Sequence, residues 1–148
     1  RIGIKPFYYY LNKDFFLFSS DIKSIIASGL YTPEPDGQGL YLAMAFGIST
    51  RPITAFKNIL ALEQSHSMKI SRNGSLVKTR YWQIPVGTQD KSMSVCDARD
   101  GLRQNLSSAI KRRLISDVGT GTLMSGGIDS TLISTIGKQS NKDIIAFY

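Results

Sequence analysis

The sequence contains one cysteine, one histidine and one tryptophan in 148 residues. A single cysteine, Cys96, permits no internal disulfide and suits a reducing compartment. With His66 as its only companion, it cannot build a structural zinc site, which takes four Cys or His ligands. No apolar run reaches the roughly 20 residues of a membrane-spanning helix, so no membrane partner is expected. The opening Arg1-Ile2-Gly3-Ile4-Lys5-Pro6 lacks the apolar stretch of a secretory leader, and a cytoplasmic setting is expected. The chain has no initiator methionine and stops inside the apolar run that ends Phe147-Tyr148. The expectation is an internal piece of a longer protein.

Acidic residues are also in short supply, with 11 against 18 Lys and Arg. A net charge of +7 raises nucleic-acid binding as a question. The excess is spread thinly over residues 1–83, and the one cluster, Lys111-Arg112-Arg113, points to different sides of a helix. A solvated helix face accounts for it, and no nucleic-acid partner is expected. The aromatic run Phe7-Tyr8-Tyr9-Tyr10 has no interleaved basic residues, unlike a base-stacking platform. It reads as a strand packed into a sheet.

What is present is an ordinary globular composition, 42% hydrophobic and 20% charged. Residues 4–19 predict a hairpin turning at Asn12-Lys13-Asp14. Ser20 or Asp21 then caps a short helix carrying Ile22, Ile25 and Ile26, stopped at Gly29. A second helix is predicted over 40–46, with Gly47 as its stop, and 54–62 turns inward irregularly. Asn73-Gly74 marks a second hairpin between 67–71 and 76–84, which Trp82 is expected to anchor. Pro85 to Ser94 is polar and weakly patterned, and is expected to be a linker. Beyond it, Ala98, Leu102, Leu106, Ile110 and Leu114 recur at helical spacing, with Asp97 near the start and basic residues near the end. A strand at 122–124, a glycine turn, a helix at 129–138 and a strand at 144–148 complete a β-turn-α-β order. That order opens a parallel α/β sheet, whose ligand site lies at the carboxyl ends of the strands.

The turn is the chemically informative stretch. Met124-Ser125-Gly126-Gly127-Ile128-Asp129-Ser130 runs from strand into helix. Glycines allow close approach of backbone to ligand, and the first helical N–H groups have no internal partner. Those donors and the positive helix end favour a phosphate. On a bland reading the glycines make only a turn, with Asp129 or Ser130 as N-cap. Two flanking hydroxyls and an acid argue for more, because Asp129 suits a phosphate carried with Mg²⁺. The G-x-x-x-x-G-K-[ST] pattern of a Walker A loop is absent. The stretch instead resembles the S-G-G-x-D-S loop of the ATP pyrophosphatase family.

Read with both flanks, the chain resembles the glutamine-dependent asparagine synthetase family. Arg1-Ile2-Gly3-Ile4-Lys5-Pro6-Phe7-Tyr8-Tyr9 is similar to its R-x-G-x-K-P-L-Y-Y, and Ser20 to Ile25 to its S-E-I-K-A-L. Residues 59–66 are similar to I-x-x-L-x-P-G-H, Tyr81-Trp82 to its Y-W ending, and 116–130 to S-D-V-P-V-G-x-x-L-S-G-G-L-D-S. The departures are Gln64-Ser65 for Pro-Gly, Gly119 for Pro, Thr120 for Val and Met124 for Leu.

The resemblance implies an α+β part followed by an α/β part. Residues 1–84 would end an N-terminal-nucleophile glutaminase sandwich, 85–94 would be the linker, and 95–148 would begin a synthetase domain. It implies an ATP-dependent, AMP-forming ligase that adenylates the side-chain carboxylate of aspartate, then adds ammonia from glutamine. Ser125, Gly126, Gly127 and Ser130 would hold the pyrophosphate end of ATP, Asp129 would bind Mg²⁺, and Met124 would meet the nucleotide. Asp117 would be structural, fixing the turn before the strand. The cysteine nucleophile would lie upstream of Arg1, so Cys96 does not take its place. The aspartate-binding residues would lie beyond Tyr148, leaving this piece inactive alone. A homodimer is expected as well, and the alternative within the same resemblance is a divergent amidotransferase or lactam-forming ligase acting on another carboxylate. From another class, a non-catalytic basic module binding RNA or protein would need the glycine turn to be only a turn.

Overall fold

The computed structural model describes residues 1–87 and 92–148. Part of the expected linker, 88–91, lies outside the described residues. The chain forms two units, Arg1–Val86 and Gly87–Tyr148, and both mix helices with sheet.

In the first unit, β1 (Tyr8–Leu11) and β2 (Phe16–Ser19) make the expected hairpin. The Asn12 side chain closes it by accepting from the N–H groups of Asp14 and Phe15. β1 also pairs antiparallel with β3 (Ile59–Ala61), giving the order β2-β1-β3. Side chains alternate across a strand, so Tyr8 and Tyr10 face one way and Tyr9 the other. On the first face Ile25, Tyr31 and Ile59 are buried, with Tyr8, Tyr10, Leu17, Ile22, Ile26 and Phe56 packed around them. On the other, Phe16 meets Tyr9 at a tilt of 42°, and Phe18 stacks on both Phe16 and Phe7 at 5.6 Å.

α1 (Ile22–Ala27) is capped by Asp21, which accepts from Lys23 N–H, and it ends at Gly29 in the left-handed region. α2 (Gly37–Phe46) starts three residues earlier than the apolar spacing suggests, because Asp36 caps it through Gly39 N–H at 2.8 Å. Thr54 lies at the centre of the unit. Its buried hydroxyl has one proton, which the Ile59 carbonyl at 2.7 Å and the Phe56 carbonyl at 3.1 Å share, and it accepts from Phe56 N–H. The irregular inward segment is thus held by this side chain together with backbone bonds such as Asp36 N–H to Ala55 O and Lys57 N–H to Glu34 O.

β4 (His66–Ile70) and β5 (Leu76–Arg80) form the Asn-Gly hairpin, with Gly74 at φ 82°. Lys78 ties its second strand to Glu63 at 2.5 Å, and its ammonium also engages Tyr9. Trp82, half-buried after the hairpin, takes the Arg1 guanidinium 5.8 Å from its ring centroid.

The second unit opens with α3 (Val95–Arg113), whose N-cap Ser94 accepts from Asp97 N–H at 3.1 Å. Of its apolar stripe, Ile110 is buried and Leu102 is 67% exposed, so only the C-terminal half of the stripe packs. β6 (Gly121–Leu123) leads into α4 (Ile128–Ser140) and then β7 (Ile145–Phe147). β6 and β7 pair in parallel, Gly121 with Ile145 through Leu123 with Phe147. α4 presses Ser134 and Gly137 against the sheet, and a Cβ at Gly137 would stand 3.3 Å from Ile144 Cδ1. The β6 strand is largely open: Leu123 is 83% exposed. Parallel strands are ordinarily covered by helices on both faces, and the exposure of Leu123 and Phe147 shows that one face of this two-stranded sheet is open among the described residues.

Candidate functional site

The turn begins where the ladder ends. Met124 N–H still donates to Phe147 O at 2.7 Å, so β6 reaches the turn in register with β7. Gly126 then takes φ 77°, a left-handed conformation that most L residues avoid. A Cβ there would meet no atom within 4 Å, so the backbone angle rather than crowding demands glycine. Gly127, at φ −78° and ψ 161°, is the N-cap of α4, and no side chain caps the helix. The bland alternative, with Asp129 or Ser130 as the N-cap, is thus not what the helix shows. The helix starts at Ile128, one residue earlier, which places both within the first turn.

The first intrahelical bond outside the regular ladder runs from Thr131 N–H to Gly127 O at 3.1 Å. The N–H groups of Ile128, Asp129 and Ser130 precede it and have no helical acceptor. Ser125 N–H is engaged, donating to Ser130 Oγ at 3.2 Å, and the two hydroxyls lie 3.2 Å apart. Ser130 Oγ in turn donates to Gly127 O at 3.1 Å. Ser125, Gly126, Gly127 and Asp129 are exposed, while Met124 and Ser130 are half-buried. Among the described residues no hydrogen bond or ion pair engages the Asp129 carboxylate. All six expected residues thus come together on one open turn at the carboxyl end of β6.

The donor set fits a magnesium–phosphate group. Mg²⁺ is held by one or two carboxylates together with substrate phosphates rather than by an all-protein cage. Asp129 supplies one carboxylate, and no group of three or more potential ligands occurs among the described residues. Asp117 has a smaller part than expected: Val118 N–H donates to Ser116 Oγ at 3.3 Å, so Ser116 makes the hydrogen bond of that turn. Cys96 is an exposed free thiol in α3.

Three hydroxyls escape a motif-based reading. Thr120, Thr122 and Ser134 bury their side-chain oxygens without a hydrogen-bond partner. Thr122 and Ser134, with Met124, Lys138 and Ile144, wall a groove of about 640 Å³ beneath the turn. The i, i+2 spacing of the two threonines, which puts them on one strand face, was the available signal.

Residues 1–82 match the glutamine amidotransferase domain family, and residues 101–148 match the asparagine synthase family. The amidotransferase class is thus defined by more than half of the chain. The asparagine synthetase [glutamine-hydrolyzing] 3 of Bacillus subtilis is 34% identical over 137 residues, covering 92% of this chain and 22% of the relative. Asparagine synthetase [glutamine-hydrolyzing] 1 of the same organism is 28% identical over 148 residues, covering 98% and 22%. The amidase chry2 of Gibberella zeae is 28% identical over 149 residues, covering 96% and 22%. The chain belongs to the glutamine-dependent asparagine synthetase family, and spans about a fifth of the length of these relatives.

Proposed function

We propose that the chain is a central piece of an AMP-forming amide ligase, which adenylates the side-chain carboxylate of aspartate and transfers glutamine-derived ammonia to give asparagine. Residues 1–84 are read as the end of an N-terminal-nucleophile glutaminase sandwich, 85–94 as the linker and 95–148 as the start of the ATP-binding domain. The intact protein is read as a cytoplasmic homodimer. No helix among the described residues is long and apolar enough to cross a membrane.

The observation that carries the reading is the uncapped start of α4 behind Gly126 and Gly127. When aspartate attacks the α-phosphate, negative charge collects on the departing pyrophosphate. Ser125, Gly126, Gly127 and Ser130 surround the place where donors meet that charge, and fixed donors cost no reorganisation as it develops. Asp129 would hold Mg²⁺, which would neutralise phosphate charge when bound. Met124, at the strand end, would contact the nucleotide. On this reading residues 1–148 are inactive by themselves.

In the intact protein, Asp129→Ala should cut aspartate-dependent ATP–pyrophosphate exchange by at least about 100-fold. Exchange at the wild-type rate would refute the role given to Asp129. A second reading, amidation of another carboxylate or lactam closure, is favoured by the relative named an amidase. Exchange that responds to a different acid and ignores aspartate would select it. The RNA- or protein-binding reading gains no support, since the turn is open and its helix donors are uncapped.

A further inference from the structure

We propose that the outward face of α2 is the surface on which two copies of the intact protein pair, an inference that rests on the homodimer reading above and names its contact. The only polar side chain in α2 is Gln38. In a chain that is 20% charged, residues 37–50 hold no Asp, Glu, Lys or Arg. A helix that is apolar all round is normally buried all round. α2 is not. Gly39 is buried and Leu42 and Ala43 are half-buried, so one side rests on the unit. Leu40, Tyr41 and Met44 lie on the other side at helical spacing and are exposed, Tyr41 to 70% and Met44 to 86%. Phe46 and Ile48 extend the open surface past the helix end. The helix cannot roll to hide them. Rolling would bring a residue with a Cβ to the contact that Gly39 makes, where a Cβ would stand 1.8 Å from Thr54 O.

Charge and area both favour a second copy as the occupant. An isologous interface lays a patch against itself, so a charged patch meets like charge unless an opposite one answers it. Residues 37–50 need no such answer, whereas a net charge of +7 sets other faces of two copies against each other. An aromatic side chain covers about 150–250 Å², and the five exposed residues, two of them aromatic, together offer on the order of 600 Å². Doubled across two copies, that exceeds the roughly 1,000 Å² expected of a specific interface. A membrane surface fits less well, since helices lying among headgroups carry Lys or Arg on their polar side.

The test is sedimentation of the intact protein, wild type against Tyr41→Lys/Met44→Lys, with the melting temperature as the check on folding. Wild type should sediment as two chains. The double variant, which sets unpaired ammonium groups into the apolar contact, should raise the dimer Kd at least about 100-fold. Met44→Leu, which keeps the surface apolar, should leave the dimer intact. A second measurement puts no charge into the face: Met44→Cys, treated with a short bismaleimide, should give a chain-to-chain product that the parent protein does not. A folded double variant that stays dimeric, or a dimeric Met44→Cys protein without that product, overturns the inference alone, the dimer then resting on another surface. Wild type that floats with phosphatidylcholine–phosphatidylserine vesicles, while the double variant does not, would give the face to a membrane and overturn it too. A wild-type protein that sediments as a single chain at micromolar concentration overturns the homodimer reading, and this inference with it.

Discussion

Ser65 adopts φ 63°, a left-handed conformation that costs a side chain with a Cβ roughly 1–2 kcal/mol. This is the position where the family pattern carries glycine, so the structure shows why glycine belongs there and how serine is tolerated. The Ser65 hydroxyl is buried and donates to Arg1 O at 2.7 Å, offsetting the strain. Ser65→Gly should therefore stay within about 1 kcal/mol of the parent, whereas Ser65→Ala keeps the strain, loses the bond and costs more, about 1–2 kcal/mol. Urea midpoints rank the two, and equal midpoints would contradict the offset. Gly39 is bound by space rather than by angle. A Cβ there would stand 1.8 Å from Thr54 O, where α2 rests on the segment that Thr54 organises. Gly39→Ala should lose about 1–3 kcal/mol or more in the same measurement. Neither consequence is readable from a glycine or serine in a string of letters, because each depends on what the chain brings back from elsewhere.

Elements were legible where one local rule dominated. The helix stop at Gly29, the Asn73-Gly74 hairpin and the long α3 all follow from capping, turn and spacing chemistry. The misjudged starts of α2 and α4 have one cause: Asp36 and Gly127 begin helices before the apolar spacing does. What holds the β4–β5 hairpin was not legible at all, since Glu63, Lys78 and Tyr9 come from three distant segments. Burial pushes the Glu63 carboxyl up, but the Lys78 hydrogen bond, a backbone hydrogen bond and the charges of Lys78 and His66 outweigh it and hold it below the ordinary carboxyl range. Its stabilising contribution is complete above the ordinary carboxyl range and is lost as pH falls through the depressed folded value. Glu63→Gln should remove that part of the acid sensitivity. It should also cost about 1–2 kcal/mol at neutral pH, as Lys78 loses a charged partner. Unfolding followed across the acid range checks both, and an unchanged pH profile would contradict the assignment. Lys78 itself is raised by the Glu63 hydrogen bond, so its own contribution fades only as pH climbs beyond the usual lysine range.

Over the whole chain, the order of segments was more telling than any one of them. The R-x-G-x-K-P start, the Tyr81-Trp82 pair and the S-G-G-x-D-S turn occur in family order, and the two family matches fall on residues 1–82 and 101–148. The six candidate residues lie within one seven-residue stretch, Met124 to Ser130, so the fold had only to place one turn at a strand end to bring them together. The hydrogen bonds inside that turn, and the buried hydroxyls beneath it, depend on the return of β7 and on the way α4 lies, which no local pattern records. The central claim is that the turn from Met124 to Ser130 receives the phosphate end of ATP. Hydrogen–deuterium exchange of the intact protein with and without Mg–ATP tests it most directly. Marked protection across 124–131 is the predicted result; protection confined to other segments, with this turn exchanging as before, would contradict it.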